Sequence, residues 1–444
     1  MMVFTRDLRV TDNPALCAAA QAAATVPMFV LDEDLLRRCR LHANRLGFLL
    51  ESLRDLDARL RALGGALVIR RGQWTAEVIE AARATGAATI HVADDFSAYA
   101  AARLARLERV AAAARLRVIR HPGITVVEPA AICPPGGSAY QVFTPYYNRW
   151  RLVPRRPLAA TPARVTLPDG VDPGPIPQLG ELTGARRSAG VPAGGESAGV
   201  ARLRGWADAD LADYDRGRDD LAADRVSRLS PYLHLGCISA RLVESQLSGL
   251  PGSEAFVRQL AWRDFFHQAL AARPDTAWRD YRDRGDRWND DPAGLEAWQA
   301  GRTGYPVVDA GMRQLAAEGF LHNRARMIVA SFLTKDLYID WRLGAAHFME
   351  LLVDGDVACN QLNWQWVAGT GTDTNPHRIF NPTLQGRRFD PDGGYVRRYV
   401  PELAALPARI IHQMDPAVRR GCGYPEPLVD HRAAIAEYRA RLRG

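Results

Sequence analysis

Two carboxylates, one carboxamide and two indoles stand within thirteen residues of each other, a set that could do chemistry on a bound partner. The five residues are Asp354, Asp356, Asn360, Trp364 and Trp366. Carboxylates are almost never fully buried unless they are paired or hydrogen-bonded, so this set requires a partner. On a helix that begins near Val357, Asn360 and Trp364 are four residues apart and share a face, whereas Trp366 points elsewhere. The alternative is an ordinary buried helix with aromatic core residues.

The segment Val226-Ser227-Arg228-Leu229-Ser230 places two hydroxyls around an arginine, just before a helix that Pro231 can open. Backbone N–H groups at the start of a helix favour anions, and hydroxyls add donors. A pyrophosphate would therefore fit. The simpler alternative is a helix N-cap that Ser230 supplies by itself.

Asn323, Arg326 and Met327 stand at positions i, i+3 and i+4, so they form one face of a predicted helix. Arg326 could pair with Asp354 across the space between two helices. The alternative is an ion pair with a purely structural role.

Gln259, Trp262, Arg263 and Phe266 form a similar stripe at i, i+3, i+4 and i+7. Such a stripe is poor as a core face but good as a recognition face. Its rings can stack on an unstacked base while its polar groups read the base edge. The alternative is a partly buried amphipathic helix with Arg263 in solvent.

The elements that must position these residues fall into three regions. Strand patterns at 2–4, 26–31, 66–70, 89–93 and 117–120 alternate with helical patterns near 12–23, 42–63, 75–85 and 98–115, which predicts a parallel sheet covered by helices. No Gly-x-Gly-x-x-Gly follows the first strand, so a dinucleotide site of that kind is not supported. Residues 122–200 are rich in proline and glycine and read as a connection. The chain beyond is helical and holds eight of the ten tryptophans.

Composition indicates a globular protein rather than a membrane protein. Of the 444 residues, 47% are apolar and 24% charged, and no apolar run is long enough for a span. The N-terminus lacks a signal sequence, so we expect a cytosolic protein. Six scattered cysteines without a Cys-x-x-Cys pair predict reduced thiols and no metal site. The net charge of +7 permits a polyanionic partner. It is almost all arginine, with Lys335 as the one lysine.

These motifs resemble those of the DNA photolyases and cryptochromes, which bind FAD. The resemblance runs from Phe4-Thr5-Arg6-Asp7-Leu8-Arg9 to about Pro407 and is dense from residue 226 to residue 401. It is greatest to the class I photolyases of cyclobutane pyrimidine dimers. It implies an α/β, Rossmann-like, antenna-binding domain over 1–125, a long linker over 126–200, and an all-α FAD- and DNA-binding catalytic domain over 201–444.

The resemblance also implies roles for individual residues at the cofactor. Residues 226–230 would cradle the FAD phosphates, with Val226 where the family usually has threonine. The Arg326–Asp354 pair would lie beside the isoalloxazine ring, Asp356 would contact its edge, and Asn360 would lie by N5. The full set expected to bind FAD is Tyr214, Val226, Ser227, Arg228, Leu229, Ser230, Phe256, Arg263, Asn323, Arg326, Asp354, Gly355, Asp356 and Asn360.

At the DNA, Trp262 and Trp366 would form aromatic walls around an extruded pyrimidine dimer. The set expected to bind DNA or the lesion is Arg218, Gln259, Trp262, Phe266, Asn323, Arg324, Met327, Trp366 and Gln385. Enzymes for cyclobutane dimers usually carry glutamate in place of Gln259, and glutamine is more familiar in (6-4) photolyases. Those enzymes usually have histidine in place of Met327, so Met327 favours cyclobutane dimers.

For electron supply, Trp288, Trp341 and Trp364 match the family's electron-transfer tryptophans, although three packing residues would have the same spacing. Asn360, Gln259 and Met327 complete the expected catalytic set.

The resulting hypothesis is light-driven repair of cyclobutane pyrimidine dimers, in which excited reduced FAD transfers an electron to a flipped-out lesion in ultraviolet-damaged DNA. A (6-4) photolyase, a cryptochrome-type photoreceptor and a flavin-free DNA-binding module are the alternatives. The stretch from Asp94 to Tyr99 departs from the acidic pattern of folate antennae. It therefore favours 8-hydroxy-5-deazaflavin over methenyltetrahydrofolate as a second chromophore, or an empty site. We expect a monomer.

Overall fold

Strands and helices alternate through the first 121 residues, and the five predicted strands are confirmed with ends shifted by at most two residues. The computed structural model of the protein describes residues 1–38, 43–134, 136–137 and 139–442. Residue 42, which begins a predicted helix, and Cys39 lie outside the described residues. The elements are β1 (Met2–Phe4), α1 (Pro14–Ala19), β2 (Pro27–Asp32), α2 (Glu33–Arg38), α3 (Ala43–Ala62), β3 (Val68–Gly72), α4 (Trp74–Ala84), β4 (Thr89–Ala93), α5 (Ala98–Ala113) and β5 (Arg117–His121).

The five strands form one parallel sheet in the order β3-β2-β1-β4-β5, as predicted. Met2 of β1 lies opposite Pro27 of β2 on one side and His91 of β4 on the other. Strands β1 and β2 are buried along their whole length, as is usual for a parallel sheet covered on both faces. The strand order reverses between β1 and β4. In open α/β sheets, ligands bind outside the carboxyl ends of the strands at such a point.

Residues 122–277 contain helices of very different lengths, of which α8 and α12 are the longest. The helices are α6 (Phe143–Trp150), α7 (Leu179–Leu182), α8 (Glu196–Asp210), α9 (Tyr214–Gly217), α10 (Ser230–His234), α11 (Ala240–Leu247) and α12 (Ser253–Ala272), with 3₁₀ turns at Pro129–Ala131 and Pro274–Ala277.

Contacts divide the chain into two compact units, which we call the sheet-bearing unit and the helical unit. The sheet-bearing unit comprises Met1–Arg187, Pro192–Ala212 and Ser227–Asp275. The helical unit comprises Ser188–Val191, Asp213–Val226 and Thr276–Gly444. Residues 227–275, which the predicted domain limits place in the catalytic domain, therefore group with the sheet instead.

One buried carboxylate explains much of this grouping. Oδ2 of Asp264, on α12, accepts hydrogen bonds of 3.0 Å from the backbone N–H groups of Val126 and Val127. The same oxygen accepts a 3.0 Å bond from Nε1 of Trp150 on α6. Burial raises the pKa of Asp264 to about 6. Helix α12 is thereby tied to the chain that follows the sheet, through contacts that no local pattern encodes.

The regular elements of the described chain after residue 277 are all helices, joined by loops. Its helices are α13 (Pro292–Gln299), α14 (Pro306–Glu318), α15 (Asn323–Ser331), α16 (Trp341–Leu351), α17 (Val357–Ala368), α18 (Pro382–Phe389), α19 (Gly394–Tyr399), α20 (Ala408–Ile411), α21 (Pro416–Cys422) and α22 (His431–Arg441), with a π-helical turn at Phe332–Asp336 and a 3₁₀ turn at Pro401–Leu403. Helices α14 to α17 contribute many residues to one apolar core, in which Ile328, Trp341 and Trp364 are among those shielded from solvent.

Among the described residues, none of the helices combines the length and the apolar composition that a membrane crossing requires.

We predict that Asp264→Ala lowers the free energy of unfolding by about 3 kcal/mol or more, because three buried N–H groups lose their acceptor. Urea denaturation at pH 7 measures this loss. Asp264→Asn keeps one acceptor oxygen and is expected to lose clearly less. Equal losses in the two variants would show that the shared acceptor is unimportant.

Candidate active site

The predicted ion pair between α15 and the segment before α17 is present in the helical unit. Nη2 of Arg326 donates to Oδ2 of Asp354 at 2.8 Å and to Oδ1 at 3.1 Å. Nε of Arg326 donates to the carbonyl of Leu321 at 2.8 Å, which fixes the plane of the guanidinium. Asp354 is 7% exposed, so the arginine supplies the partner that a buried carboxylate needs.

Helix α17 begins at Val357, as predicted, and Asp356 is its N-cap. Oδ1 of Asp356 accepts from the backbone N–H of Cys359 at 2.9 Å. Asn360, one turn further, donates through Nδ2 to the carbonyl of Ala345 at 3.1 Å and to Oε1 of Gln361 at 3.0 Å. Both amide hydrogens are thus engaged. A ligand beside Asn360 would meet the carboxamide as an acceptor, through Oδ1.

His322, which the sequence reasoning missed, caps α15. Its Nδ1 accepts from the backbone N–H of Arg324 at 3.1 Å, so Nε2 carries the proton of the neutral ring. Nε2 is buried and has no hydrogen-bond partner among the residues that the structure describes. Burial lowers the pKa of His322 to about 4, which keeps the ring neutral near pH 7. The only sequence signal is its position directly before the polar face of α15.

The 226–230 segment differs from a plain N-cap. Leu229 occupies the cap position of α10 and Ser230 is the first helical residue, so the alternative that Ser230 caps the helix is wrong. Oγ of Ser227 accepts from the N–H of Leu229 at 3.4 Å. Arg228 has a φ of 52°, in the left-handed region. Because α10 is only five residues long, an anion here would depend on the loop and on Arg228 more than on the helix dipole.

Tyr214 and Phe256 are buried in different units. Tyr214 opens the short helix α9 of the helical unit, and burial raises the pKa of its hydroxyl to about 12. Phe256, on α12 of the sheet-bearing unit, packs against Trp206 with ring centroids 4.6 Å apart.

Arg263 is not a solvated side chain, contrary to the alternative for the α12 stripe. Its guanidinium donates to the backbone carbonyl of Ile124 and, at 3.3 Å, to that of Leu233. It therefore connects α12 with α10.

Trp262 is held by an aromatic partner that sequence reasoning did not identify. Its ring stacks on Phe143 of α6, with centroids 3.7 Å apart and planes within 8° of parallel. One indole face is thus covered. Phe266 is only 3% exposed and packs against Trp262, so its ring has little surface left to meet DNA, contrary to its predicted place on a recognition face. Gln259 donates to the carbonyl of Ala255 at 3.4 Å.

The DNA-contact candidates of the helical unit differ in how far they are already engaged. Asn323 is exposed, and its Nδ2 lies 3.8 Å from Sδ of Met327 on the same helical face, as predicted. Arg324 makes a bidentate pair with Asp219, at 2.9 Å to each oxygen. Arg218 pairs with its helix neighbour Asp215 at 3.2 Å.

Trp366 and Gln385 lie near opposite ends of the connection between α17 and α18. The guanidinium of Arg378 lies over the Trp366 ring, 5.1 Å from its centroid. Oε1 of Gln385 is buried and has no partner among the described residues. Gly355 stands between Asp354 and Asp356, just before α17.

The three candidate electron-transfer tryptophans differ in exposure. Trp364 is buried against Phe348, with centroids 5.0 Å apart, and any side chain at Gly344 would collide with its ring. Trp341 is fully buried, and its Nε1 donates to Oδ1 of Asp280 at 2.7 Å. Trp288 is half-buried and packs against Tyr338 at 4.9 Å.

Comparison with known proteins shows the family of this chain. Residues 2–164 match the family model described as DNA photolyase, and residues 256–444 match that described as the FAD binding domain of DNA photolyase. The deoxyribodipyrimidine photo-lyase of Streptomyces griseus is 50% identical over 100% of this chain and 98% of that protein.

Two solved structures are also similar. A bacterial class III photolyase from Agrobacterium tumefaciens superposes with a TM-score of 0.92 at 34% identity, covering 100% of this chain and 96% of that one. An archaeal photolyase from Sulfolobus tokodaii, solved with two FAD molecules, superposes with a TM-score of 0.89 at 30% identity, covering 100% and 99%. The chain belongs to the DNA photolyase and cryptochrome family.

We predict that Arg326→Met lowers the free energy of unfolding by about 2 kcal/mol, because Asp354 then stays buried without a counter-charge. The quarter-exposed guanidinium keeps this below the cost of a fully buried pair. In Arg326→Met/Asp354→Asn, the total loss is expected to be smaller than the sum of the two single losses. Additive losses in chemical denaturation would mean that the pair is not coupled.

Proposed function

We propose that this protein repairs cyclobutane pyrimidine dimers in DNA by light, with FAD as its cofactor. The observation that carries this proposal is the pairing of Arg326 with buried Asp354, beside the Asp356-capped start of α17, from which Asn360 offers only an acceptor oxygen. The names of the relatives that match along the whole chain support the same reaction.

The side chains present fit a flavin nucleotide. Nε2 of His322 is a buried donor without a partner among the described residues, and such a donor requires a ligand or a water molecule. Arg228 and Ser227 offer a cation and a hydroxyl to a pyrophosphate. The cofactor, when bound, supplies the absorption of light and the transfer of one electron.

Asn360 would select the protonation state at the flavin N5. Since its two amide hydrogens bond to Ala345 and Gln361, its oxygen would accept a hydrogen bond from N5–H. An unprotonated N5 would face the same oxygen as a second acceptor and would be disfavoured. The Arg326 guanidinium would place positive charge beside the ring and stabilise its electron-rich form.

At the lesion, Trp262 and Trp366 would stack on the extruded bases. Phe143 behind Trp262 and Arg378 over Trp366 would hold these rings in place before DNA binds. Met327 would line the cavity, while Asn323, Arg324, Arg218 and Gln385 would contact the DNA. Arg324 would exchange its pairing with Asp219 for a phosphate.

A (6-4) photolyase is the second candidate, because Gln259 stands where cyclobutane-dimer enzymes usually carry glutamate. Glutamine can donate a hydrogen bond through its amide but cannot transfer a proton.

Trp288, Trp341 and Trp364 would conduct electrons inward from the surface. The gradation from half-buried Trp288 to buried Trp364 supports this direction. The Asp280 carboxylate on Nε1 of Trp341 would stabilise positive charge on that indole while an electron passes.

For a second chromophore, the carboxyl edge of the sheet offers a chemically suitable surface. Arg103 lies over the Trp74 ring at 4.4 Å, and the Tyr99 hydroxyl donates to Asp32 at the end of β2. Because Arg103 lies 3.9 Å from the carboxylate of Asp32, its charge is already offset. The preference for 8-hydroxy-5-deazaflavin over methenyltetrahydrofolate therefore rests on the sequence from Asp94 to Tyr99. A cytosolic monomer acting on ultraviolet-damaged DNA completes the proposal.

We predict that the reduced, illuminated holoprotein repairs an oligonucleotide with a cyclobutane thymine dimer and leaves the matching (6-4) oligonucleotide unchanged. Chromatography of the illuminated DNA measures both. Gln259→Glu, the matched variant, is expected to repair the cyclobutane dimer at least as well. Repair of only the (6-4) lesion would replace the first candidate by the second, and no repair of either would overturn the proposed function.

We predict that Trp341→Phe slows photoreduction of the oxidised holoprotein at least tenfold, because phenylalanine is much harder to oxidise than tryptophan. Repair by chemically pre-reduced Trp341→Phe should be retained. Trp278→Phe is the control, since Trp278 is 54% exposed and outside the proposed chain. Transient absorption of the flavin gives the rates. A slowing of the same size in the control would contradict the proposed route.

A further inference from the structure

Lys335, the one lysine of the chain, is buried in the π-helical turn that follows α15. It is 1% exposed. Its Nζ donates to the backbone carbonyl of Pro376 at 3.1 Å and to that of Arg378 at 2.6 Å. The ammonium also lies over the Tyr438 ring, 5.3 Å from the centroid. A π-helical turn is uncommon and occurs frequently at functional sites.

The two carbonyls belong to the connection between α17 and α18, residues 369–381, which we call the α17–α18 loop. Within it, Arg378 extends its side chain over Trp366 while its Nε bonds to Asp373 at 3.2 Å. Phe380 donates its N–H to Oγ of Ser331 at 3.3 Å. Lys335 therefore holds the backbone of the same residue whose guanidinium covers the proposed lesion wall.

The hydroxyls of Thr370 and Thr372 in this loop are buried and have no partner among the described residues. Arg282 holds the first part of the loop, through its N–H to the carbonyl of Thr370 at 2.7 Å and its guanidinium to that of Asp373 at 3.2 Å. Lys335 is the described donor to the carbonyls of Pro376 and Arg378 in the second part. Apolar packing in place of the ammonium would leave two carbonyls of the loop without a donor.

We propose that Lys335 is a positioning residue for lesion recognition: its ammonium fixes the α17–α18 loop so that Arg378 and Trp366 present a preformed wall to an extruded base. The inference rests on the proposed function, because it takes Trp366 as that wall. Affinity for the lesion then depends on the loop, whereas affinity for undamaged DNA, which offers no extruded base, does not.

The charge on Lys335 depends on pH in the neutral range. Burial, followed by repulsion from Arg284, lowers the pKa of Lys335 to about 7. The charged and titratable groups that face it are Arg284 and Asp286 of the segment before α13, Asp373 and Arg378 of the loop, Tyr438 of α22, and Asp336 of its own turn, which is bonded to His431. Loss of the proton removes the charge assistance from both carbonyl bonds.

The test compares wild type, Lys335→Met and Lys335→Arg as FAD-loaded proteins in the dark. Dissociation constants are measured for a thymine-dimer oligonucleotide and for the same undamaged sequence, from pH 6 to pH 9. Methionine keeps the length of the stem without a donor, and arginine keeps both donors and charge. For each protein we define discrimination as the dissociation constant for the undamaged DNA divided by that for the thymine-dimer DNA. This ratio cancels general effects of pH on phosphate contacts.

We expect Lys335→Met to lose about tenfold in discrimination at pH 6.5, which is the size of effect that one charge-assisted hydrogen bond can produce. The loss should come from weaker binding of the thymine-dimer DNA, with binding of the undamaged DNA unchanged. Wild-type discrimination should fall as pH rises through about 7, and that of Lys335→Met should be flat. Lys335→Arg should retain discrimination up to pH 9. Unchanged discrimination in Lys335→Met, or equal losses for both DNAs, would overturn the inference.

If Lys335→Met does not fold, the comparison of wild type with Lys335→Arg decides alone: identical pH profiles would overturn the inference. Photorepair by wild type tests the proposed function separately. If wild type repairs dimers but substitution of Lys335 leaves discrimination unchanged, the positioning role alone is refuted.

Linkage gives an independent check on the charge. The pKa of Lys335 falls from its usual 10.5 to about 7 on folding, so the unfolded chain binds more protons between these values. The free energy of unfolding of wild type, relative to Lys335→Met, should therefore rise from pH 7 to pH 10.5 and be constant below pH 7. A flat difference would refute the titration of Lys335.

Discussion

In the helical unit, each buried charged group discussed above needs a partner, because burial of an unpaired charge is costly. A carboxylate or an ammonium taken out of water is tolerated only where a partner replaces its hydration. Asp354 meets this requirement through Arg326, Asp356 through the N–H of Cys359 in α17, and Lys335 through two carbonyls of the α17–α18 loop. The first and third of these tie remote segments together, so buried charges help to define where α15, the start of α17 and the loop lie.

Two polar groups of α15 and α17 keep hydrogen-bonding capacity that the proposed cofactor could use. Asn360 has donated both amide hydrogens and presents an oxygen, and His322 has accepted one hydrogen bond and presents an N–H. The proposed flavin would offer a donor to the first group if its N5 is protonated, and its polar substituents would offer acceptors to the second.

The two roles proposed for the tryptophans correspond to two kinds of surroundings. Trp262 is backed by Phe143 and Trp366 lies under Arg378, so each ring is supported while it remains partly exposed. Trp364 and Trp341 are instead enclosed by the apolar core, where rigid surroundings limit the reorganisation that accompanies electron transfer. The same residue type thus suits stacking at the surface and conduction inside.

The amino-acid sequence by itself determined the alternation of strands and helices, the parallel sheet, the start of α17 and the need of Asp354 for a partner, since these follow from periodicity and from the cost of burying a charge. It also carried the motifs of the family. Only the tertiary structure decided that 227–275 groups with the sheet, that Phe143 backs Trp262, that Phe266 is buried, and that Lys335 holds a distant loop. The reason is physical: local patterns specify which side chains need partners, whereas the choice of partner depends on contacts between segments that are remote along the chain.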